Sequence, residues 1–312
     1  MPPLRVAVVV NARLSGRVLL AALAQLRTRA RVVAELDTRG EAADLARLGA
    51  LLRDHEPDVL VAAGGDGTAG LALQALLEAG AAERSALAFL PLGTGNNAAR
   101  SFGLRALRGD PAALERALAA IHEGPRRPID VGLLGGRPFL GSVAFGMDAD
   151  VLALRNRLER RLAPFGLGSG YGLYLGGVAA SLLRGHGAKA RLTLDGERET
   201  GPVYNLVVVN APVYAGPLRF DGENDCSDGL LDVHAVASEW AYLAEYPKAW
   251  LRYLRVRRGT KAEPSPRLRR AREIEAEFEA PVPAQADGEE IPAAAAFRIR
   301  VLPRALRVCV SG

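Results

Sequence analysis

A chain of 312 residues with 49% hydrophobic and 24% charged side chains has the composition of a globular protein of about two domains, which excludes disordered and collagen-like chains. Forty basic against 35 acidic residues leave a formal charge of +5, carried mostly by arginine, so weak attraction to anionic partners follows while no nucleic-acid partner is expected. Cys226 and Cys309 are too few for a disulfide framework, and His55, His122, His186 and His234 never fall at the close spacing of zinc sites.

The apolar run 4–10 leads directly into a polar loop with no small-residue cleavage pattern, and reads as a first strand rather than a signal peptide. Short β-branched runs predict strands over 6–10, 32–36, 59–63 and 86–91, and helical patterns fall at about 17–28, 40–55, 68–79 and 111–123. This alternation implies an N-terminal α/β domain with a mostly parallel sheet, helices on both faces, and ligands bound beyond the carboxyl ends of the strands. After Asp130 the pattern changes to strand-like segments at 191–194, 203–210, 230–236 and 274–278, with helices near 151–162, 171–183 and 240–257. These predict a β-rich, mostly antiparallel C-terminal domain. The Pro/Arg-rich stretch 263–272 is expected to be an exposed connection, and the tail to form two short strands, 297–301 and 305–310, interrupted by Pro303. The longest mostly apolar stretch, 171–183, falls short of the roughly 18 residues that span a bilayer, so the chain is expected to be soluble or to sit on a membrane without crossing it.

Two segments could carry chemistry. The strand 58–63 feeds into Gly64-Gly65-Asp66-Gly67-Thr68, after which a helix begins. Strand, glycine turn and helix start make an anion cradle, because glycines let backbone N–H groups approach phosphate oxygens and the helix dipole adds attraction. Asp66 suits three tasks: orienting the water of a Mg²⁺ ion, binding a nucleotide hydroxyl, or acting as a base. Its plainer reading is a helix cap in a tight turn. The next strand ends in Pro91-Leu92-Gly93-Thr94-Gly95-Asn96-Asn97, again before a short helix at 98–102, so the two loops are expected side by side at one sheet edge. Thr94, Asn96 and Asn97 could serve phosphate or ribose, or only turn and capping chemistry. Neither loop matches the lysine-bearing P-loop or GxGxxG.

The pair of motifs, GGDGT at 64–68 and PLGTGNN at 91–97, resembles the diacylglycerol kinase catalytic domain family, which includes bacterial lipid kinases, sphingosine kinases and ceramide kinases. The resemblance extends over nearly the whole chain. It implies a first nucleotide loop at Asn11 to Gly16 including Ser15, with Asn11-Ala12 where Asn-Pro is common, a Thr near the adenosine at Thr38, and an Arg-x-x-Asp segment at Arg127 and Asp130. Asp225 to Val233 is similar to the segment in which some bacterial members hold a structural Mg²⁺, which carries that role to Asp225, Asp228 and the carbonyl of Leu230. Gln285 to Glu289 resembles the Asp-Gly-Glu motif whose carboxylate is the base toward the lipid hydroxyl, here Asp287 or Glu289, expected at alternate positions of an extended segment and so facing the same way. Asn97 stands where an Asp is frequent. The family fold implies that the C-terminal segment returns to the first domain, giving 1–130 plus about 293–312 as the nucleotide-binding domain and 131–292 as the lipid-binding domain.

The resemblance therefore implies an ATP-dependent lipid kinase using Mg²⁺, acting on diacylglycerol or a related lipid at the inner face of the cytoplasmic membrane. The rivals are an NAD kinase-like enzyme and a catalytically inactive lipid-binding or regulatory protein. The basic residues Arg252, Arg255, Arg257, Arg258, Lys261, Arg267, Arg269, Arg270 and Arg272, with Trp250 and Tyr253 nearby, are expected to face the membrane. Assembly as a homodimer is left open.

Overall fold

Residues 59–64 and 86–91 are buried along their whole length, the pattern of strands covered by helices on both faces. The computed structural model of the protein describes residues 3–14, 16–162, 171–185, 187–222 and 224–311, and falls into two units: Met1–Val131 with Ser227–Gly229 and Leu302–Gly312, and Gly132–Cys226 with Leu230–Val301.

The first unit alternates β1 (Arg5–Asn11), α1 (Arg17–Arg29), β2 (Arg31–Thr38), α2 (Ala43–His55), β3 (Val59–Gly64), α3 (Asp66–Glu78), β4 (Ala86–Pro91), α4 (Asn97–Ser101) and α5 (Pro111–His122). β5 (Arg126–Leu134) then leaves it. The strands pair in parallel in the order β4-β3-β1-β2. β1 and β3 are therefore neighbours whose following helices depart toward opposite sides of the order, which makes their carboxyl ends the topological switch point. Local chemistry agrees with these elements. Pro111 opens α5 where its missing N–H costs nothing, and Asp110 caps it by accepting from Ala112 N–H at 2.9 Å.

The second unit contains β6 (Arg137–Phe139), β7 (Ser142–Gly146), α6 (Met147–Leu162), α7 (Tyr171–Arg184), β8 (Ala188–Leu194), β9 (Glu197–Val203), β10 (Asn205–Val209), β11 (Leu231–Val236), α8 (Glu239–Arg257), β12 (Leu268–Ala271) and β13 (Glu273–Ala286). β14 (Glu289–Cys309) begins here and ends in the first unit. Its sheet runs β12-β11-β10-β7-β13-β14, antiparallel throughout, with β8 and β9 added on β13. Phe145, Phe278 and Phe297 meet in its core, Phe145 and Phe297 with ring centroids 4.4 Å apart.

Two expectations need correction. The stretch 263–272 is not all connection, because 268–271 forms β12 against β11. The tail is one long strand rather than two. Pro303 does not end it, because the chain bends there: Arg304 takes φ 50° and gives its N–H to Asp130, after which Val308 pairs in parallel with Leu87 of β4. The part of β14 that lies in the first unit begins at Leu302, and 227–229 joins the same unit.

Candidate active site

The parallel register aligns the strand ends, with Asn11 opposite Thr38, Val10 opposite Ala63, and Gly64 opposite Pro91. The loops after all four strands therefore leave one edge, as the alternation of elements requires. After β1, Asn11 turns the chain: its side chain accepts from Arg13 N–H at 3.0 Å and its carbonyl from Leu14 N–H at 2.8 Å. Gly16, at φ 122°, opens α1 in a conformation closed to other residues, while Ser15 lies outside the described residues. Thr38 is buried at the end of β2. The loop after it is fixed by Asp44, whose carboxylate accepts from the N–H groups of Arg39, Gly40 and Glu41. Burial works against its charge, but these bonds and Arg47 hold it below the usual carboxylate range.

The two glycine loops touch. Leu92 and Gly93 give their N–H groups to the Gly64 carbonyl at 3.0 and 3.2 Å. A Cβ on Gly93 would fall well inside contact of Gly65 Cα and 3.1 Å from Gly65 N, and one on Gly95 would lie 2.7 Å from Asp66 Oδ2. Only glycines permit this approach. Gly64 is equally constrained, because its Cβ position is filled by the side chain of Thr68, buried in the first turn of α3. Asp66 sits at the start of α3, where an anion is favoured by the helix dipole. Its Oδ1 accepts from Ala98 N–H at 3.1 Å and its Oδ2 from the Asn97 amide at 3.4 Å. Asn97 thus donates where an aspartate would repel, which gives the departure at this position a physical reason. Asn96 is buried at φ 53°, and its side chain bonds Gly93 N–H and C=O, so its amide serves the turn. Thr94 and Gly67 remain exposed at the loop surfaces.

In the second unit Asp287 and Gly288, at φ 48° and 83°, are the two central residues of a tight hairpin between β13 and β14, with Ala286 opposite Glu289. This is the Asp-Gly pairing favoured where both residues need positive φ. The expectation that Asp287 and Glu289 share one face of an extended segment fails for that reason. Asp287 turns back to accept from the N–H groups of Leu140, Gly141 and Ser142 at 2.7, 2.8 and 2.9 Å, while Glu289 pairs with the half-exposed Arg137. Burial raises the Asp287 carboxyl above its usual range; the three N–H bonds oppose the shift and Glu289 adds to it.

Asp225 and Asp228 are exposed in the turn before β11, and Gly229 between them and Leu230 gives its N–H to Asp130 at 2.6 Å. Among the described residues no three His, Cys, Asp or Glu side chains gather into a metal cage. Two carboxylates and a carbonyl would offer a hard cation oxygen donors only, which fits Mg²⁺ in kind. Asp130 is fully buried and holds Gly229 N–H and Arg304 N–H, while Arg127 reaches Ser227 Oγ at 3.4 Å, so this pair organises three segments of the first unit. Sequence reasoning missed another buried carboxylate, Asp148 at the start of α6. It accepts from the hydroxyls of Tyr214 (2.6 Å), Tyr242 (2.8 Å) and Tyr246 and from the Asn205 amide (2.8 Å). The only signal was the run of tyrosines in α8, and nothing local says what they meet.

Comparison with known proteins adds independent findings. A family described as the diacylglycerol kinase catalytic domain matches residues 5–134, and one described as the YegS C-terminal NAD kinase beta sandwich-like domain matches 141–310. A "Probable lipid kinase YegS-like" of Pseudomonas syringae pv. tomato is 33% identical over 203 residues, 64% of this chain and 61% of that protein. A diacylglycerol kinase of Mycobacterium tuberculosis is 34% identical over 227 residues, 70% of this chain and 67% of its own. The match thus spans about three fifths to two thirds of these relatives. A crystal structure of a diacylglycerol kinase from Bacillus anthracis superposes with a TM-score of 0.70 over 99% of this chain and 98% of that one; at 20% identity this likeness speaks for the fold.

Proposed function

The chain belongs to the diacylglycerol kinase catalytic domain family, and on that premise we propose that it transfers the γ-phosphoryl group of ATP to the hydroxyl of a lipid, diacylglycerol first among the candidates. The observation that carries the proposal is the contact of the two glycine loops beyond the switch point, with Asp66 at their junction. Phosphoryl transfer asks a protein mainly to position the donor and neutralise charge. Backbone N–H groups freed of side chains at Gly65, Gly67 and Gly95 suit phosphate oxygens, while the Gly93 N–H is held by the Gly64 carbonyl and Asn96, and the start of α3 adds its dipole. Asn11 and Thr38 lie at neighbouring strand ends and are assigned to the nucleoside part of the donor. Mg²⁺ bound with the nucleotide would neutralise phosphate charge; Asp66, an oxygen donor fixed by Ala98 N–H, suits the orientation of a water in its shell.

Proton removal from the acceptor hydroxyl is assigned to Asp287. A carboxyl raised by burial accepts a proton more readily than an ordinary one, and three backbone N–H groups hold it in one orientation. Glu289, exposed and paired with Arg137, is the weaker candidate. The test is transfer of label from γ-labelled ATP over a panel of diacylglycerol, monoacylglycerol, sphingosine, ceramide, undecaprenol and NAD. Label in a lipid acceptor supports the reading. Label in NAD alone would replace it with the NAD kinase alternative, and label in none would favour a non-catalytic lipid-binding protein.

A further inference from the structure

Helix α8 has two apolar faces, and only one of them is buried. Tyr242, Glu245, Tyr246 and Ala249 face inward: the two tyrosine hydroxyls donate to Asp148, and the buried Glu245 accepts from Arg252 at 2.6 Å. On the outer side, Trp240, Leu243, Pro247, Trp250 and Leu251 recur at intervals of three and four residues and so share one stripe. Trp240 is 81% exposed, Leu243 40%, Trp250 46% and Leu251 50%. Four of the six large hydrophobic side chains exposed among the described residues therefore sit on one helix face, together with both tryptophans of the chain. A contiguous patch of this kind marks an interaction surface.

Its charge says what it meets. Lys248, Arg255 and Arg258 are exposed around the stripe and make no ion pair among the described residues; Glu239 in the first turn is the acid beside it. Within the wider basic stretch expected to face a membrane, three members are instead committed to acids of the second unit. Arg252 is bound to Glu245, Arg269 to Glu199, and Arg270 to Asp221 and Asp232. Tryptophan and leucine on a helix rimmed by Lys and Arg match the headgroup and upper acyl region of an anionic bilayer.

We propose that this outer face of α8 docks the protein on an anionic membrane surface, with Trp240, Trp250 and Leu251 entering the interface and Lys248, Arg255 and Arg258 meeting the headgroups. This names the partner surface of the lipid-kinase reading and rests on it for the choice of a bilayer over a protein, but its test needs no catalysis. Because both tryptophans lie on the face, their fluorescence reports docking. Adding phosphatidylcholine vesicles with about one third phosphatidylglycerol at low salt should shift the emission to the blue, and brominated acyl chains should quench it. Two variants, Trp250→Ser with Leu251→Ser and Lys248→Glu with Arg255→Glu and Arg258→Glu, should each weaken vesicle affinity by about tenfold or more. Thermal midpoints and transfer to detergent-dispersed lipid should stay unchanged. Three results would overturn the proposal: emission that does not move on vesicles, variants that sediment with vesicles as the wild type does, or a wild-type dimer that either variant dissociates, since a second copy would then cover the face. Lost docking with intact transfer in detergent removes this inference alone, whereas intact docking without transfer removes the kinase reading alone.

Discussion

Gly93→Ala is the sharpest perturbation of the loop junction. The new methyl would press on Gly65 Cα and stand 3.1 Å from Gly65 N, so backbone, not a pliable side chain, must yield. Restoring ordinary contact requires the loops to part by about 1 Å, a displacement that costs on the order of 100-fold in rate when it moves reacting groups out of alignment. Overpacking of this kind destabilises by about 1–3 kcal/mol, which a domain of this size survives. Gly70→Ala, four residues into α3 with nothing near its Cβ position, is the control; it should stabilise by about 0.5–1 kcal/mol and leave turnover intact. Steady-state kcat/KM for ATP, with urea midpoints for both variants, separates the effects. Wild-type turnover in Gly93→Ala would refute the claim that close contact of the two loops positions the donor.

Three other outcomes follow from the geometry. Asp287→Asn should lower kcat by about 100-fold or more with little change in ATP affinity, and Glu289→Gln by less than about tenfold; equal turnover in the wild type and both amides would exclude either as the base. Because burial raises the Asp287 carboxyl, the acid limb of the kcat profile should lie above the ordinary carboxylate range, and a limb within that range would assign it to another group. His234, fully buried against Phe220 with Ser265 Oγ 3.1 Å away, is held down to about 4 from 6.5 by burial and by Arg252 and Arg267, against the pull of Glu245. A depressed histidine contributes stability that is complete above about 6.5 and lost as pH falls toward 4, on the order of 3 kcal/mol here, and urea unfolding of the wild type and His234→Gln at pH 7.5 and 4.5 should show the variant losing less.

The first unit was legible because its signals are local. Runs such as 59–63 are apolar on both faces only when buried in a parallel sheet, and a glycine loop after each strand must emerge at the same edge. What the sequence concealed depends on distant partners. Asp-Gly at 287–288 carries a hairpin signal, but only the fold reveals that Asp287 aims at the 140–142 amides. Pro303 reads as a strand break until Asp130 is seen to take the N–H of Arg304 at the bend. The prolines at 281 and 283 likewise pass within β13, where its register with β14 shifts. Arg270 reads as free positive charge, yet Asp221 and Asp232 claim it across the sheet.

The most direct measurement of the central claim is the chloroform-extractable label formed from γ-labelled ATP and diacylglycerol by the wild type and by Asp66→Asn. The substitution keeps the size and one acceptor oxygen at the loop junction, so circular dichroism and the thermal midpoint should be close to wild type. It removes the charge, so extractable label should fall to background while the wild type accumulates it with time. Label that forms equally with both proteins, or that appears only as inorganic phosphate with the wild type, would contradict the account.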